Sequence, residues 1–438
     1  NKKVIGGKAF LDTYLQVNGS ETYTTARDSD GHGTHTTTTA AGNVVNPAAV
    51  FGVNRGPISG VAPGAWVLEY KVCGAAGCYG SDSAAAVQQA ILDGAKVINF
   101  SISGGTNPYA DPVEMAFLDA YEAGVFVATS AGNEGPGAAT VNHFSPWTTT
   151  VAASTQSREF NSTLTLTDGA ASVTLTGASI TDGVSAETPV VMAQSIAGYD
   201  ALCSTELAPG AAAGKIVACR RGVVGRVQKG YNVKQGGAVG MILYNSPLQD
   251  VETDNHWLPT VHLADGANFL AFMASHPNAT ARFTAGTAVA GTGNVMAAFS
   301  SRGPGGQFLK PDITAPGVQV LAGQTPTLDE VSGGPQGEYY MAIAGTSMSS
   351  PMVAGSAILV KAAKRSWNPG MIKSALMTTA RQNVVKEDLV TPADPLDMGA
   401  GHVDLTKAAS APIVFTESGA DYRTKGLDAG EALNLNLP

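Results

Sequence analysis

Three short segments of this chain hold side chains that could break an acyl bond. The first, Asp28-Ser29-Asp30-Gly31-His32-Gly33-Thr34-His35, sets a histidine between two glycines ahead of a small-residue run, Thr36 to Gly42. Glycine on both sides lets a substrate come close, and an imidazole that titrates near neutrality can take a proton from a nucleophile. The competing reading is a histidine that caps a helix, the role that suits His35. The second segment, Ala344-Gly345-Thr346-Ser347-Met348-Ser349-Ser350-Pro351, precedes an apolar helical stretch with Val353, Ala354, Ala357, Ile358 and Leu359. Ser347 would stand where backbone N–H groups and the helix dipole meet developing negative charge, which suits a nucleophile and equally an ordinary cap. The third, Thr129-Ser130-Ala131-Gly132-Asn133-Glu134-Gly135, lies at the carboxyl end of a strand. Asn133 can donate its amide to an oxyanion or simply turn the chain.

The elements that must position these residues read as parallel α/β. Val67 to Val72 is strand-like, a helix runs from about Ser81 to Leu92 and closes at Gly94, and Val97 to Ser101 is the next strand. The unit repeats at once. Asp111, Pro112 and Glu114 give an N-cap, a first-turn proline and an acid at the third position, and Gly124 ends that helix before Val125 to Thr129. Around Arg158 the text changes to Ser/Thr alternation, which suits antiparallel strands, with further apolar strands at Lys215 to Cys219 and Ala238 to Tyr244. Parallel vocabulary resumes at Val295, so an insertion within one domain is the simplest account. The stretch from Ile413 is polar and irregular.

Composition removes several classes. The chain has 438 residues, enough for two or three domains at about 150 residues each. Its 26 Lys+Arg against 35 Asp+Glu give a net charge of −9, and no basic run tracks a phosphate backbone, so nucleic acid is excluded as a partner. At 44% hydrophobic and 14% charged it is not disordered, and no apolar run is long enough for a bilayer. The four cysteines form two local groups, Cys73 with Cys78 and Cys203 with Cys219. An even count leans towards an oxidising compartment, the alternative being four buried thiols. Neither group has zinc spacing, no carboxylate cluster has calcium-loop spacing, and no metal or cofactor is expected. The first residue is Asn1 rather than Met, so the sequence reads as a fragment or a processed chain.

The three segments, in the order His, Asn, Ser, together resemble the subtilisin-like serine proteases. The likeness is greatest to the plant-type branch and its bacterial relatives, which carry a protease-associated domain between the Asn and the Ser. Tyr70-Lys71-Val72-Cys73, Pro146 to Ser154, Phe299 to Pro304, Lys310 to Gly317 and Ile372 to Ala380 resemble that branch as well. Gly214-Lys215-Ile216-Val217 and Gly237-Ala238-Val239-Gly240 resemble its insert. The resemblance implies a parallel α/β subtilisin-like domain with helices on both faces, over 1–158 and 294–412, interrupted by a β-rich protease-associated insert over 159–293. Residues 413–438 would begin a C-terminal β domain. It makes Ser347 the nucleophile, His32 the general base and later acid, and Asn133 an oxyanion donor beside the Ser347 N–H. Ser101, Ile102, Ser103 and Gly104 would pair with an extended substrate, although one extra residue before Gly105 leaves the register open. Ser130, Ala131 and Gly132 would line the pocket for the side chain before the scissile bond. Met352 stands where the family usually has a histidine, a packing difference. Together with the composition, the resemblance favours Cys73–Cys78 and Cys203–Cys219 bridges.

One departure matters. The family's aspartate lies upstream of the histidine on a strand ending in Asp-Ser/Thr-Gly, and only Asp12-Thr13-Tyr14 comes near it. Asp28 and Asp30 are too close in sequence to turn back onto the His32 ring. Asn1 to Gly7 resembles the segment after the aspartate strand, so the acid-bearing segment is expected to be missing. The resulting expectation is a secreted, extracellular serine endopeptidase acting on protein or peptide substrates through an acyl-enzyme, with a propeptide as a further partner. The alternative is a catalytically silent fragment whose insert binds proteins. Asn18, Asn99, Asn161 and Asn278 head Asn-x-Ser/Thr sites, with Asn99 expected inside its strand.

Overall fold

The computed structural model describes residues 2–428. In chain order the elements up to the first sheet's last strand are β1 (Val4–Ala9), α1 (His32–Ala41), β2 (Val67–Lys71), α2 (Gly80–Leu92), β3 (Val97–Phe100), α3 (Pro112–Glu122), β4 (Phe126–Ser130) and β5 (Thr149–Ser154). Next come β6 (Arg158–Asp168), β7 (Ala171–Ala178), β8 (Val184–Met192), β9 (Ile216–Arg220), α4 (Arg226–Gln235), β10 (Gly240–Tyr244), β11 (Thr260–Leu263), α5 (Ala267–Ser275), β12 (Thr280–Phe283) and β13 (Thr287–Ala290). The chain then returns through β14 (Ile313–Pro316), β15 (Val320–Gly323), β16 (Tyr340–Ile343), α6 (Thr346–Ala363) and α7 (Pro369–Thr378).

Parallel strands form two groups: β1 with β2, and a four-stranded sheet in the order β14, β5, β4, β3. The return strand β14 pairs with β5 across the whole β6–β13 excursion, which keeps 294–412 in one body with the first part. Local chemistry explains the helices. The Asp111 carboxylate caps α3 by accepting from the N–H groups of Val113 and Glu114, and Pro112 opens it without needing a donor. One face of α6 buries Val353, Ala354, Ala357 and Val360 against Phe126, Ala128, Ile313 and Ala315 of the sheet. Small residues let α6 touch α1, since a Cβ on Gly355 would stand 2.7 Å from the Ala40 carbonyl oxygen.

Between β5 and β14, an eight-stranded sheet has the order β7, β11, β10, β9, β8, β12, β6, β13. Because β6 also pairs with β7, seven of those strands close into a barrel and leave no free edges among themselves. Its centre holds Leu164, Ile216, Ile242, Val261 and Phe283.

Both disulfides are formed, Cys73–Cys78 across a two-strand turn and Cys203–Cys219 inside the barrel unit. The tail differs from expectation. Residues 413–428 carry no strand: Ser418 caps a turn at Gly419–Asp421 that runs on into Tyr422–Asp428, and the Tyr422 ring packs edge-on against Tyr121 and Trp147. Burying that aromatic against α3 favours the helical turn over an extended strand. The rest of the expected β domain, 429–438, lies outside the described residues.

Candidate active site

His32 opens α1 and Ser347 stands in the first turn of α6. His35 Nε2 lies 2.9 Å from the Val320 carbonyl oxygen, and Val320 pairs with Ile343, two residues before Gly345. The first turn of α1 therefore lies beside the chain leading into α6. Its last turn reaches Gly355, in the middle of α6. Both helices thus start at the same end of the sheet, with His32 eight residues before Ala40 and Ser347 eight before Gly355. Gly31 has φ 102°, and a Cβ there would overlap the Gln324 side chain, so the turn into His32 needs glycine.

The acids beside His32 serve the helix start. Asp30 Oδ1 accepts from the His32 N–H at 3.0 Å. Asp28 accepts from the N–H groups of Asp30, Gly31 and Thr34 and from the Thr34 hydroxyl. Burial pushes the Asp28 carboxyl up, but those hydrogen bonds outweigh it and hold it below the usual carboxylate range. Burial also lowers the His32 imidazole, with Asp30 and Asp28 pulling the other way. A neutral ring able to accept a proton is the result. Asp12 sits exposed at the start of a separate short helix, Asp12–Asn18, three residues past the end of β1.

Asn133 is joined to the residue before the serine. Its Oδ1 accepts from the Thr346 N–H at 2.9 Å and from the Thr346 hydroxyl at 3.0 Å. This fixes the amide's orientation and leaves Nδ2 as the free donor. A Cβ on Gly345 would lie 3.8 Å from Asn133 Nδ2 and 3.6 Å from the Ser347 nitrogen, so the two donors flank one point. Ser347 Oγ donates to the Ser101 carbonyl at 3.4 Å, and Ser101 Oγ donates to the Ser347 carbonyl at 3.0 Å. Among the described residues, no hydrogen bond joins the His32 ring to Ser347.

The segment Ser101 to Gly105 is tied to Asn142, His143 and Phe144. The Ile102 carbonyl accepts from His143, the Gly104 N–H donates to Asn142 Oδ1, and the Gly104 carbonyl accepts from the His143 N–H. Ser103 makes none of these bonds and is exposed. Ser130 and Ala131 are buried, and the Gly132 N–H donates to Thr346 Oγ1 at 3.1 Å. Asn142 and His143 carry no local sequence mark, and Thr346, though inside the segment around Ser347, gives no sign in the sequence of its bonds to Asn133.

Among the described residues no group of three metal-binding side chains occurs, and no helix is long and apolar enough to cross a membrane. The profile of the Subtilase family (Peptidase_S8) matches residues 7–403. The subtilisin-like protease SBT1.7 of Arabidopsis thaliana is 39% identical over 96% of this chain and 59% of its own length. Subtilisin-like proteases SBT1.6 and SBT1.3 of the same plant are 38% and 37% identical, over 97% and 96% of this chain and 59% and 58% of theirs. The chain spans about three fifths of the length of the curated relatives it matches. With the family profile covering nearly all of the sheet, the serine and the asparagine, the chain belongs to the subtilase family.

Proposed function

We propose that this protein is a secreted serine endopeptidase that cleaves protein or peptide substrates through an acyl-enzyme on Ser347. His32 takes the proton from Ser347 Oγ as the Oγ–carbon bond forms, then gives it to the leaving amine as the carbon–nitrogen bond breaks. Water, activated by the same ring, releases the acyl group. Asn133 Nδ2 and the Ser347 N–H receive the oxyanion. Their closeness, 3.8 Å and 3.6 Å from one point beside Gly345, is the observation that carries the reading. Ser101 and Ser103 pair with the substrate backbone, while Ser130, Ala131 and Gly132 border the pocket for the residue before the cut.

The orienting carboxylate is assigned to an extended segment seated between β2 and β3. Among the described residues neither strand is paired on that side. The two sheets nonetheless share helix layers, α1 with α6 on one face and α2 with α3 on the other. The barrel unit, 159–293, is read as a protease-associated domain, with its closed sheet as support. Two formed disulfides and no free cysteine support secretion. A propeptide inhibitor is the further partner the family reading brings.

A fluorophosphonate probe on the full-length protein tests this reading. Ser347 should be labelled and Ser347→Ala should not. Adding a strand ending in Asp-Ser-Gly to the present chain should raise labelling by about 10³ to 10⁴, since losing a triad acid costs about that much. A folded full-length protein that resists labelling would refute the endopeptidase reading and favour the silent protein-binding one.

A further inference from the structure

The buried pair His143 and Glu114 takes no part in that chemistry, yet it grips the segment on which substrate pairing depends. We propose that His143, fixed by Glu114, is a positioning residue that sets the register of the substrate-pairing edge at Ser101 and Ser103. The proposal rests on the endopeptidase reading.

His143 Nε2 lies 2.7 Å from the Ile102 carbonyl oxygen. A carbonyl only accepts, so this nitrogen carries the hydrogen. Nδ1 lies 2.6 Å from Glu114 Oε1, and the Ser145 hydroxyl donates to the other carboxylate oxygen. Trp147 Nε1 donates to the Glu114 backbone carbonyl at 2.8 Å, which holds the acid in place. The side chains are 1% and 0% exposed, and the imidazole meets Phe100 edge-on at 5.7 Å. The backbone repeats the grip. His143 and Phe144 donate their N–H groups to the Gly104 and Gly105 carbonyls at 2.9 Å, and the Gly104 N–H donates to Asn142 Oδ1 at the same distance. His143 has φ 54°, a left-handed conformation that a non-glycine residue keeps only when its surroundings hold it there.

These bonds reach the carbonyls of Ile102, Gly104 and Gly105 and the Gly104 N–H, and none of them engages Ser103. Ser103 is left exposed, and Ser101 faces Ser347 through its carbonyl and its hydroxyl. A slip of one residue would break all four of these bonds at once, and that loss opposes it. A buried carboxylate is costly unless paired, so a hydrophobic filler would serve if filling space were the only task.

The test uses the full-length protein and compares an extended peptide substrate with a small fluorophosphonate that makes no strand pairing. His143→Leu and Glu114→Leu should each lower kcat/KM for the peptide, chiefly through KM, about ten-fold more than they lower labelling of Ser347. Glu114→Gln should recover most of that difference. Its amide can donate to Nδ1 and still accept from Ser145, keeping the hydrogen on Nε2. Equal losses with both reagents, an unchanged KM in His143→Leu, or a Glu114→Gln variant as impaired as Glu114→Leu would each overturn the proposal. Amide hydrogen exchange gives an activity-free reading: Gly104, His143 and Phe144 should lose protection in His143→Leu, and unchanged protection overturns it. If the parent neither labels nor cleaves, the endopeptidase reading fails, and the exchange result alone decides whether His143 holds the edge.

Discussion

Asn133 Oδ1 takes both hydrogens that Thr346 can offer, its N–H at 2.9 Å and its hydroxyl at 3.0 Å. The residue before Ser347 therefore aims the amide of a residue more than 200 positions away, and the amide's donor end points away from that lock. Asn133→Leu should lower kcat by about 10² to 10³ with little change in KM, the loss seen when subtilisin-type enzymes forfeit one oxyanion donor. Thr346→Val keeps the N–H but loses the hydroxyl, and should cost about ten-fold in kcat, near one hydrogen bond's worth. Steady-state kinetics of both variants, with Thr346→Ser as the control that retains the hydroxyl, would check the lock. A larger loss in KM than in kcat for Asn133→Leu would remove the oxyanion role.

The two disulfides should respond differently to reductant. Cys203 and Cys219 are wholly buried, whereas Cys78 is exposed in its turn. A thiolate must reach a sulfur to open the bond. Mild reduction of the native protein followed by alkylation and mass spectrometry should therefore modify Cys73 and Cys78 first. Cys203 and Cys219 should react only on unfolding. Replacing both with Ser should cost about 3 kcal/mol, the loop-closure estimate for a span of this size.

His35 predicts an acid limb. Burial lowers its imidazole to about 4, against its contacts to the Val320 and Met341 carbonyls and with His32 nearby. Between pH 6.5 and 4 the unfolded chain takes a proton that the folded one refuses. The stability His35 contributes is thus complete above pH 6.5 and lost as pH falls towards 4. His35→Gln, which can still donate to the Val320 carbonyl, should flatten melting temperature against pH over that window. An unchanged slope would show that the ring is hydrated in the fold.

Much of this architecture was legible because it is local. The helix after β2 was expected from Ser81 and begins at Gly80, and the strand expected over Val97 to Ser101 runs Val97–Phe100. Hydrophobic periodicity and the closing Gly94 mark those bounds to within a residue. The candidates His32, Asn133 and Ser347 stand out in the sequence through their glycine-rich surroundings. What stayed hidden depends on partners distant in sequence. Ser101 meets Ser347 across 246 positions, and no local pattern encodes that meeting. The closure of β6 onto β7 and β12 is likewise set by pairing that alternation alone leaves free. His143 looked like any polar residue in a turn, because its meaning comes from Glu114 on a separate helix.

Glu69 lies on β2, half-buried. Burial raises its carboxyl to about 7, a hydrogen bond with Thr37 of α1 works the other way, and the Asp28 charge adds to the rise. The ordinary value is 4.5, so between pH 4.5 and 7 the folded state keeps a proton that the unfolded chain has released. Glu69 therefore supports folding below pH 4.5, and that support is lost as pH rises through 7. Glu69→Gln mimics the protonated form at every pH. It should match the parent near pH 4.5 and exceed it by about 1 to 3 kcal/mol at pH 8, the size a shift of this order implies after allowing for partial exposure. The variant-minus-parent difference cancels His35 and the other titrating groups, so urea midpoints of the two proteins at pH 4.5, 6 and 8 isolate the one carboxyl. Parallel curves across that range would mean that Glu69 ionises in the fold without penalty. A variant less stable at pH 8 would mean instead that the carboxylate has a partner on the open side of β2.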